Sequence, residues 1–565
     1  TTDHIEILRG VNGFNDGPLS LGGVINYVTK TGYDSAPAQV RVEGGSYGYL
    51  HEQVSSGLVD GDFDYYLSLT HFEQSGYRNF TSGNSSRAVF DFGYKITPDL
   101  TTRFKAIYVD QHQDDAGYLT WAQFQANPKQ SQFPQIRVRD NPGTFLISNQ
   151  TDFKIDGDSS IDNGVQYNNY PINGLGGPAQ TTFLFGDISD TLRYQRKDLL
   201  FDHQSNTTVS LLAYKQLNSE FDSYDVNWKL TGRRPADQGD YTLVESNDFE
   251  IIPHLWLTTA LAEIYQTRET NIDFSSNPLT TRSRINRDYF NVDPRVGVHY
   301  DFNDKDQIFA NVSRSVDTPS SNSYVRTDAN QAPLGIIDLK PAEATTVEIG
   351  ARGESGPFKW SADFYNSWVD NELLTVPVAP GSPAPISSNA TPTIHQGVEA
   401  ELDTTLWQEE AVPFQQVQGA GDPKDIQSPG NPIEESPQRL VLRQVYTWNN
   451  FYYAGDPQFG QNTLAGVPVH VYQAELEYDH PSGFYIGVNV ESVLTKYAVD
   501  FANSFYTQPY AILGAKAGFA DEKHGWEVFV EGRNLPDENY VAAVAPSFTG
   551  GQTAAALAPG QGRGV

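Results

Sequence analysis

From Ala38 onward the chain is written in alternation. In Phe63 to Thr70, Phe63, Tyr65, Leu67 and Leu69 share one face, and Asp64, Tyr66, Ser68 and Thr70 share the other. Phe358, Trp360, Ala362, Phe364 and Trp368 oppose Lys359, Ser361, Asp363, Tyr365 and Ser367. Phe484, Ile486, Val488 and Val490 oppose Tyr485, Gly487 and Asn489, while Trp526, Val528 and Val530 oppose Glu527, Glu531 and Arg533. A period of two sends successive side chains to opposite faces of a strand, so each segment has one apolar face and one polar face. No run approaches about 18 consecutive apolar residues, so no membrane-spanning helix is expected. Strands of roughly ten residues can still span a membrane when they close into a barrel, because every backbone group then finds a partner on a neighbour. The 12% aromatic content, mostly Tyr and Phe, suits girdles at two membrane interfaces. A soluble β-sandwich would alternate too, but it needs neither so many tall strands nor charge opposite faces so rich in aromatics.

The connections are of two kinds. Asp60-Gly61-Asp62, Thr97-Pro98-Asp99, Asn303 to Asp306, Gly353 to Pro357 and His480 to Gly483 are short and built from residues that tolerate turn dihedrals. Long connections are expected near 74–86, 111–142, 171–188, 217–240, 268–290, 318–338, 371–394, 453–466, 496–508 and 535–560. Short turns at one end and long loops at the other are the asymmetry of outer-membrane barrels. The count comes to about 22 strands, a number at which the lumen is plugged by a folded domain. Gln408 to Pro437 breaks the pattern with five prolines among Gln, Gly and Glu, a composition that cannot bury a core, at a place where a short turn is expected.

Ahead of the alternation lies Asp3 to Gly32, which reads as strand, glycine-rich turn, strand. Ile5, Ile7 and Leu8 precede Gly10, Gly13, Gly17, Gly22 and Gly23, and Val24, Ile25, Tyr27 and Val28 follow. A phosphate-binding loop is the other reading of these glycines, but no Gly-Lys-Ser/Thr or GxGxxG stands in a strand-to-helix setting. The stretch Ile5-Glu6-Ile7-Leu8-Arg9-Gly10 with Gly22-Gly23-Val24-Ile25-Asn26-Tyr27-Val28-Thr29-Lys30 resembles the end of the plug domain of TonB-dependent outer-membrane receptors, which leads directly into a large barrel. Val11 stands where the family usually has proline. Ile308 to Ser315, Leu339 to Glu343 and Val347 to Gly350 resemble a mid-barrel pattern of that family. Glu531 to Leu535 with Tyr540 resembles its penultimate strand.

The resemblance implies an all-β fold: a large antiparallel transmembrane β-barrel of about 22 strands, the last truncated, with a plug remnant. Residues 1–37 would be the C-terminal end of the plug and 38–565 the barrel with extracellular loops. It also implies truncation at both ends. The family's plug is longer and carries its TonB-contacting segment further upstream, and the family ends in a complete strand where Gly562 to Val565 stand here. The expectation is a fragment that does not transport as it stands.

The implied function is active uptake of a ferric siderophore or similar iron chelate across the bacterial outer membrane. Other cargo (a cobalamin, a carbohydrate, a metal ion) and a passive porin-like barrel are the alternatives. A porin needs no plug, so Asp3 to Gly32 speaks against it. The implied partners are TonB with its inner-membrane energising complex, the iron-chelate ligand, and outer-membrane lipids and lipopolysaccharide. A net charge of −32 argues against nucleic acid, which wants a basic face. The absence of cysteine excludes thiol catalysis and disulfides, and neither HExxH nor G-x-S-x-G is present. No catalytic residue, cofactor or resident metal is expected.

By resemblance Arg9, with Glu6, is the candidate for holding the plug to the barrel wall. The ligand is expected at the extracellular mouth. Asn12, Phe14 and Asn15 would supply plug apices. Tyr118, Trp121 and Phe124 lie in a loop where Thr120 and Gln123 form a capping box and Asn127-Pro128 ends a short helix. They would either fold over a ligand or pack the loop against its neighbours. Tyr324 and Arg326 stand in another long loop, where an arginine can pair with a carboxylate or phosphate. His112, Asp114 and Asp115 read as a cation site or as a solvated run.

Overall fold

The computed structural model describes residues 2–9, 23–134, 137–175, 179–280, 283–328, 331–377, 385–409, 438–547 and 550–565. Among these, the alternating segments form one 23-stranded sheet. Neighbours in sequence pair antiparallel, from Gln39–Gly45 through to Trp526–Gly532. Two members are continuations: Ile172–Leu175 extends Ser159–Asn169, and Phe274–Ser275 extends Leu255–Asn271, each on a neighbour of the strand it prolongs. The remaining twenty-one are the tall strands.

The two ends of this ribbon meet. Arg533 and Gly564 exchange backbone hydrogen bonds of 2.9 and 3.1 Å, and the Ser46 N–H donates to the Val565 carbonyl at 2.7 Å. Residues 563–565 thus stand between the first and last tall strands, where the sequence places the start of a twenty-second.

The faces fall as the alternation requires. Leu67 and Leu69 are 41% and 55% exposed, whereas Asp64, Tyr66 and Ser68 between them are at most 3% exposed. Trp526, Val528 and Val530 are likewise exposed, as are Phe484, Ile486 and Val488. In a closed sheet the apolar row faces outward to lipid and the polar row lines the interior. The short turns sit where their residues predict. At Gly483 φ is +92°, and a Cβ there would lie 1.8 Å from the Ala520 carbonyl, so only glycine fits.

The loop end differs from expectation. Most of 171–188, 217–240 and 268–290 is strand: Gln180–Leu200, His203–Tyr224, Leu230–Ile252, Leu255–Asn271 and Arg284–Asp301. Above the lipid both faces of a strand are wet, so the apolar row disappears while backbone pairing continues. Register shifts at Gly186/Asp187 and between Lys215 and Glu220 obscure the period further. Leu230–Ile252, at 23 residues, runs about 75 Å along its own axis, far beyond an apolar band of about 25 Å.

Strand Thr393–Gln408 pairs with Arg439–Tyr453 down to Gln408 opposite Arg439, with a further bond from Glu409 N to Gln438 O at 2.9 Å. The proline-rich excursion therefore leaves and returns at one point on the turn end, as the sequence suggests; residues 410–437 lie outside the described residues. At the head of the chain, Thr2–Arg9 and Gly23–Thr29 form an antiparallel sheet of their own.

Candidate functional site at the loop end

Three apolar clusters tie the long loops to one another. The first joins Leu119 and Phe124 to Val499, Phe505, Val541, Ala556 and Leu557. The second joins Tyr453, Leu464 and Ala465 to Ala498 and Phe501. The third joins Ile272 and Ile285 to Tyr324, Ile336 and Leu339. The hairpin Leu373–Pro377 with Pro385–Asn389 bridges two of them, because Leu373 packs on the third cluster and Leu374 on the second. Asn389 and Lys340 add a reciprocal pair of 2.8 Å bonds between loops. The loops thus form a connected belt around the mouth. Burial of apolar side chains holds it in place, since loop backbone alone would stay mobile.

The loop predicted to carry a helix does so over Trp121–Ala126. The Thr120 side chain accepts from the Gln123 N–H at 3.3 Å, and the Thr120 N–H donates to Gln123 Oε1 at 2.9 Å, which completes the capping box. Arg78 clamps this loop from outside it, donating to the carbonyls of Gly117 at 2.8 Å and Gln130 at 3.0 Å. Trp121 stacks on Phe124 at 5.6 Å and meets the edge of Phe505 at 5.5 Å. Phe124 is buried, so of the two readings open to these residues, packing against neighbouring loops is what the geometry displays. Tyr118 stays 42% exposed.

The loop that follows Gln307–Asp317 folds against the inner face of the tall strands. Arg268 Nε donates to Pro319 O at 3.0 Å, Ser321 reaches Gln238, and the Tyr324 hydroxyl meets that of Tyr289 at 2.7 Å. Tyr324 is fully buried there. Arg326 lies in the small hairpin Val325–Thr327 with Pro333–Ile336, and its Nε is buried without an acceptor.

The N-terminal hairpin carries the remaining expectations. Glu6 accepts from Asn26 Nδ2 at 2.8 Å and meets His4 at 3.4 Å, so its described bonds stay within the hairpin. Arg9 closes the first strand opposite Gly23, and its side chain lies outside the described residues, as do Asn12, Phe14 and Asn15 altogether. The described links to the wall come from residues the sequence did not single out. Lys105 Nζ donates to Thr29 Oγ1, and the Gly32 N–H donates to Asp64 Oδ2 at 3.2 Å. Asp64 is itself bridged by Arg103, which also binds Asp91. No local pattern marks Lys105 in advance; its role depends on the strand that happens to face the hairpin.

His112 pairs with Asp140 at 2.6 Å and with Asp114 at 3.3 Å. Among the described residues no group of three or more His, Asp or Glu is placed to hold a metal ion.

A family model described as "TonB dependent receptor-like, beta-barrel" matches residues 19–535. Among solved structures, the chain is similar to the ferric citrate transporter FecA in its unliganded form at a TM-score of 0.77 and 16% identity, covering 100% of this chain and 82% of that one. It is similar to the siderophore receptor PiuA from Acinetobacter baumannii at 0.76 and 13% identity, covering 100% and 85%. The ferric yersiniabactin uptake receptor FyuA from Yersinia pestis matches at 0.73 and 13% identity, covering 99% and 83%. At these identities the likeness speaks for the fold.

Proposed function

This chain belongs to the TonB-dependent receptor family of the Gram-negative outer membrane, whose members are transporters rather than enzymes, and from that premise we propose that it takes up a ferric siderophore or a similar iron chelate. The observation that carries the reading is the pairing of two parts. A belt of packed loops stands at the mouth, and a separate N-terminal hairpin is tied to the inner wall, among the described residues, by a few polar bonds. The similar structures, a ferric citrate transporter, a siderophore receptor and a ferric yersiniabactin uptake receptor, support iron chelates as cargo.

In this reading residues 1–37 are the end of a plug and 38–565 the barrel. The ligand enters the mouth, where exposed Tyr118 and half-buried Arg326 touch it together with the apices Asn12, Phe14 and Asn15. Trp121, Phe124 and Tyr324 shape the surface that presents it. Glu6 and Arg9 help seat the hairpin. TonB, with its inner-membrane complex, draws on the plug and opens the path, while lipid and lipopolysaccharide surround the outer face.

The test is uptake by a receptor-deletion strain complemented with the full-length gene. Labelled ferric siderophores and ferric citrate are offered in turn under iron limitation. Uptake of one chelate that vanishes on removal of TonB is expected. Iron uptake that persists without TonB overturns the active-transport reading, and an assembled receptor that takes up no iron chelate overturns the cargo.

A further inference from the structure

Among the described residues, Arg234 is a buried cation without a counter-charge. It lies toward the loop end of Leu230–Ile252, only 6% exposed. Gln238, on the same face of that strand, accepts from Ser321 at 3.3 Å, and Ser321 belongs to the loop folded into the mouth. Tyr241, of opposite parity, is exposed on the outer face. Arg234 therefore points inward, above the lipid.

Three adjacent strands build its surroundings. Phe221 of His203–Tyr224 is its cross-strand partner, and Phe183 of Gln180–Leu200 is the partner of Phe221. The guanidinium stands 3.9 Å from the Phe221 ring centre, with Phe183 5.9 Å beyond and Phe185 5.5 Å from Phe183. The nearby carboxylates are taken by its neighbour: Arg233, on the other face, binds Asp222 at 2.7 and 2.9 Å and reaches Glu220 at 3.4 Å. Among the described residues Arg234 has no hydrogen bond or ion pair, and its Nε is buried without an acceptor. Burial alone acts on the group, pushing it down to about 10.

A loop roofs this wall. A Cβ at Gly232 would lie 2.4 Å from Pro333, and Ser223 donates to the Gln331 carbonyl at 3.1 Å. The same loop carries Arg326, whose Nε is also buried without an acceptor.

A buried unpaired guanidinium is costly, and stacking on one phenyl ring offsets only part of that cost. The rest is recovered when an anion arrives, because the guanidinium fork fits planar oxygen pairs. In a chain of net charge −32 most of the surface repels anions, which makes a bare inward arginine selective. We propose that Arg234 over Phe221, flanked by Phe183, is a subsite for an anionic oxygen-donor group on the ligand, a carboxylate or catecholate of the iron chelate. The proposal rests on the uptake reading above and narrows its cargo to negatively charged chelates. Its inward aim sets it apart from lipid phosphates outside the barrel.

The experiment is titration of the purified full-length receptor in detergent micelles, read by intrinsic fluorescence. The probes are ferric citrate, a ferric tris-catecholate, a neutral ferric tris-hydroxamate, iron-free citrate and inorganic phosphate. Arg234→Gln, Arg234→Lys and the outward control Arg233→Gln are compared, with barrel assembly checked by heat-modifiable gel migration. An anionic ferric chelate is expected to bind at least tenfold more weakly to R234Q, with partial recovery in R234K and no change in R233Q. Binding of the neutral chelate alone, unaffected by R234Q, overturns the anion subsite and leaves iron uptake standing. Binding of iron-free citrate or phosphate that depends on Arg234, with no ferric chelate bound, supports the subsite and overturns the iron cargo. Anion binding indifferent to R234Q, or no binding of any anion, overturns the proposal.

Discussion

Phe124 and Leu557 of the loop belt are 5% and 1% exposed, whereas Ile7 and Ile25 of the N-terminal hairpin stand at 62% and 59%. Both regions are joined to the same tall strands. The belt is held by burial, with each loop packed on the next. Among the described residues the hairpin is held by its own ladder and a few polar links, chiefly Lys105 to Thr29 and Gly32 to Asp64. Apolar packing is lost only by exposing surface to water, while a polar link is partly replaced by water at a smaller net cost. On the proposed uptake reading, the mouth holds a shape and the hairpin yields under load.

Four substitutions or conditions break or sharpen this contrast. The largest effect is expected from Phe124→Ala, which empties the first cluster and should cost the belt about 3–5 kcal/mol. Hydrogen exchange and limited proteolysis should show 115–134 and 494–509 opening together while the tall strands stay protected. Opening of 115–134 alone would argue against a connected belt. Lys105→Ala is next, at about 1.5–3 kcal/mol for a hydrogen bond to a charged group. Exchange should rise in Gly23–Thr29 and leave the belt unchanged. Thr120→Ala removes the helix cap for about 1 kcal/mol, and faster exchange should be confined to Trp121–Ala126.

The smallest effect is with pH. Burial works against the charge of Glu372 at the mouth, but bonds from His395 at 3.1 Å and Thr393 at 2.5 Å outweigh it and hold the carboxyl below its ordinary 4.5. A lowered folded-state value means stability that is present above the unfolded value and lost as pH falls through the folded one. The hairpin Leu373–Pro377 with Pro385–Asn389 should therefore keep its protection at neutral pH and lose part of it as pH falls below 4.5. Glu372→Gln should abolish that dependence.

What the sequence made legible follows from the range of each interaction. Leu67 and Leu69 against Asp64 and Tyr66 is a local period, and it placed the lipid face and the interior correctly. Thr120 with Gln123 is a local cap, and it placed the helix. The left-handed turn at Gly483 is a local feature, and it marked the turn, although the close approach of Ala520 was not legible. The belt was not legible, because the Leu119 N–H donates to the Leu557 carbonyl at 2.8 Å across most of the chain, and no short-range period encodes that meeting. For the same reason Trp121 could be read as a ligand contact or as packing until its neighbours were known. Arg234 was missed because Asp222 and Arg233 stand close by in the pairing. The bulge between Lys215 and Glu220 then decides that Asp222 falls opposite Arg233 and Phe221 opposite Arg234. The tall wet ends of 203–224 and 230–252 lost the apolar row that marks a strand.

The most direct test of the account asks whether the hairpin must move while the mouth still binds. This stretch of chain carries no cysteine, so Thr29→Cys and Lys105→Cys can be bridged in the full-length receptor by a short thiol-reactive, reducible cross-linker. The account predicts that the bridged receptor binds its ferric chelate with unchanged affinity, fails to take it up, and regains uptake on reduction. Full TonB-dependent uptake with the bridge intact would contradict it.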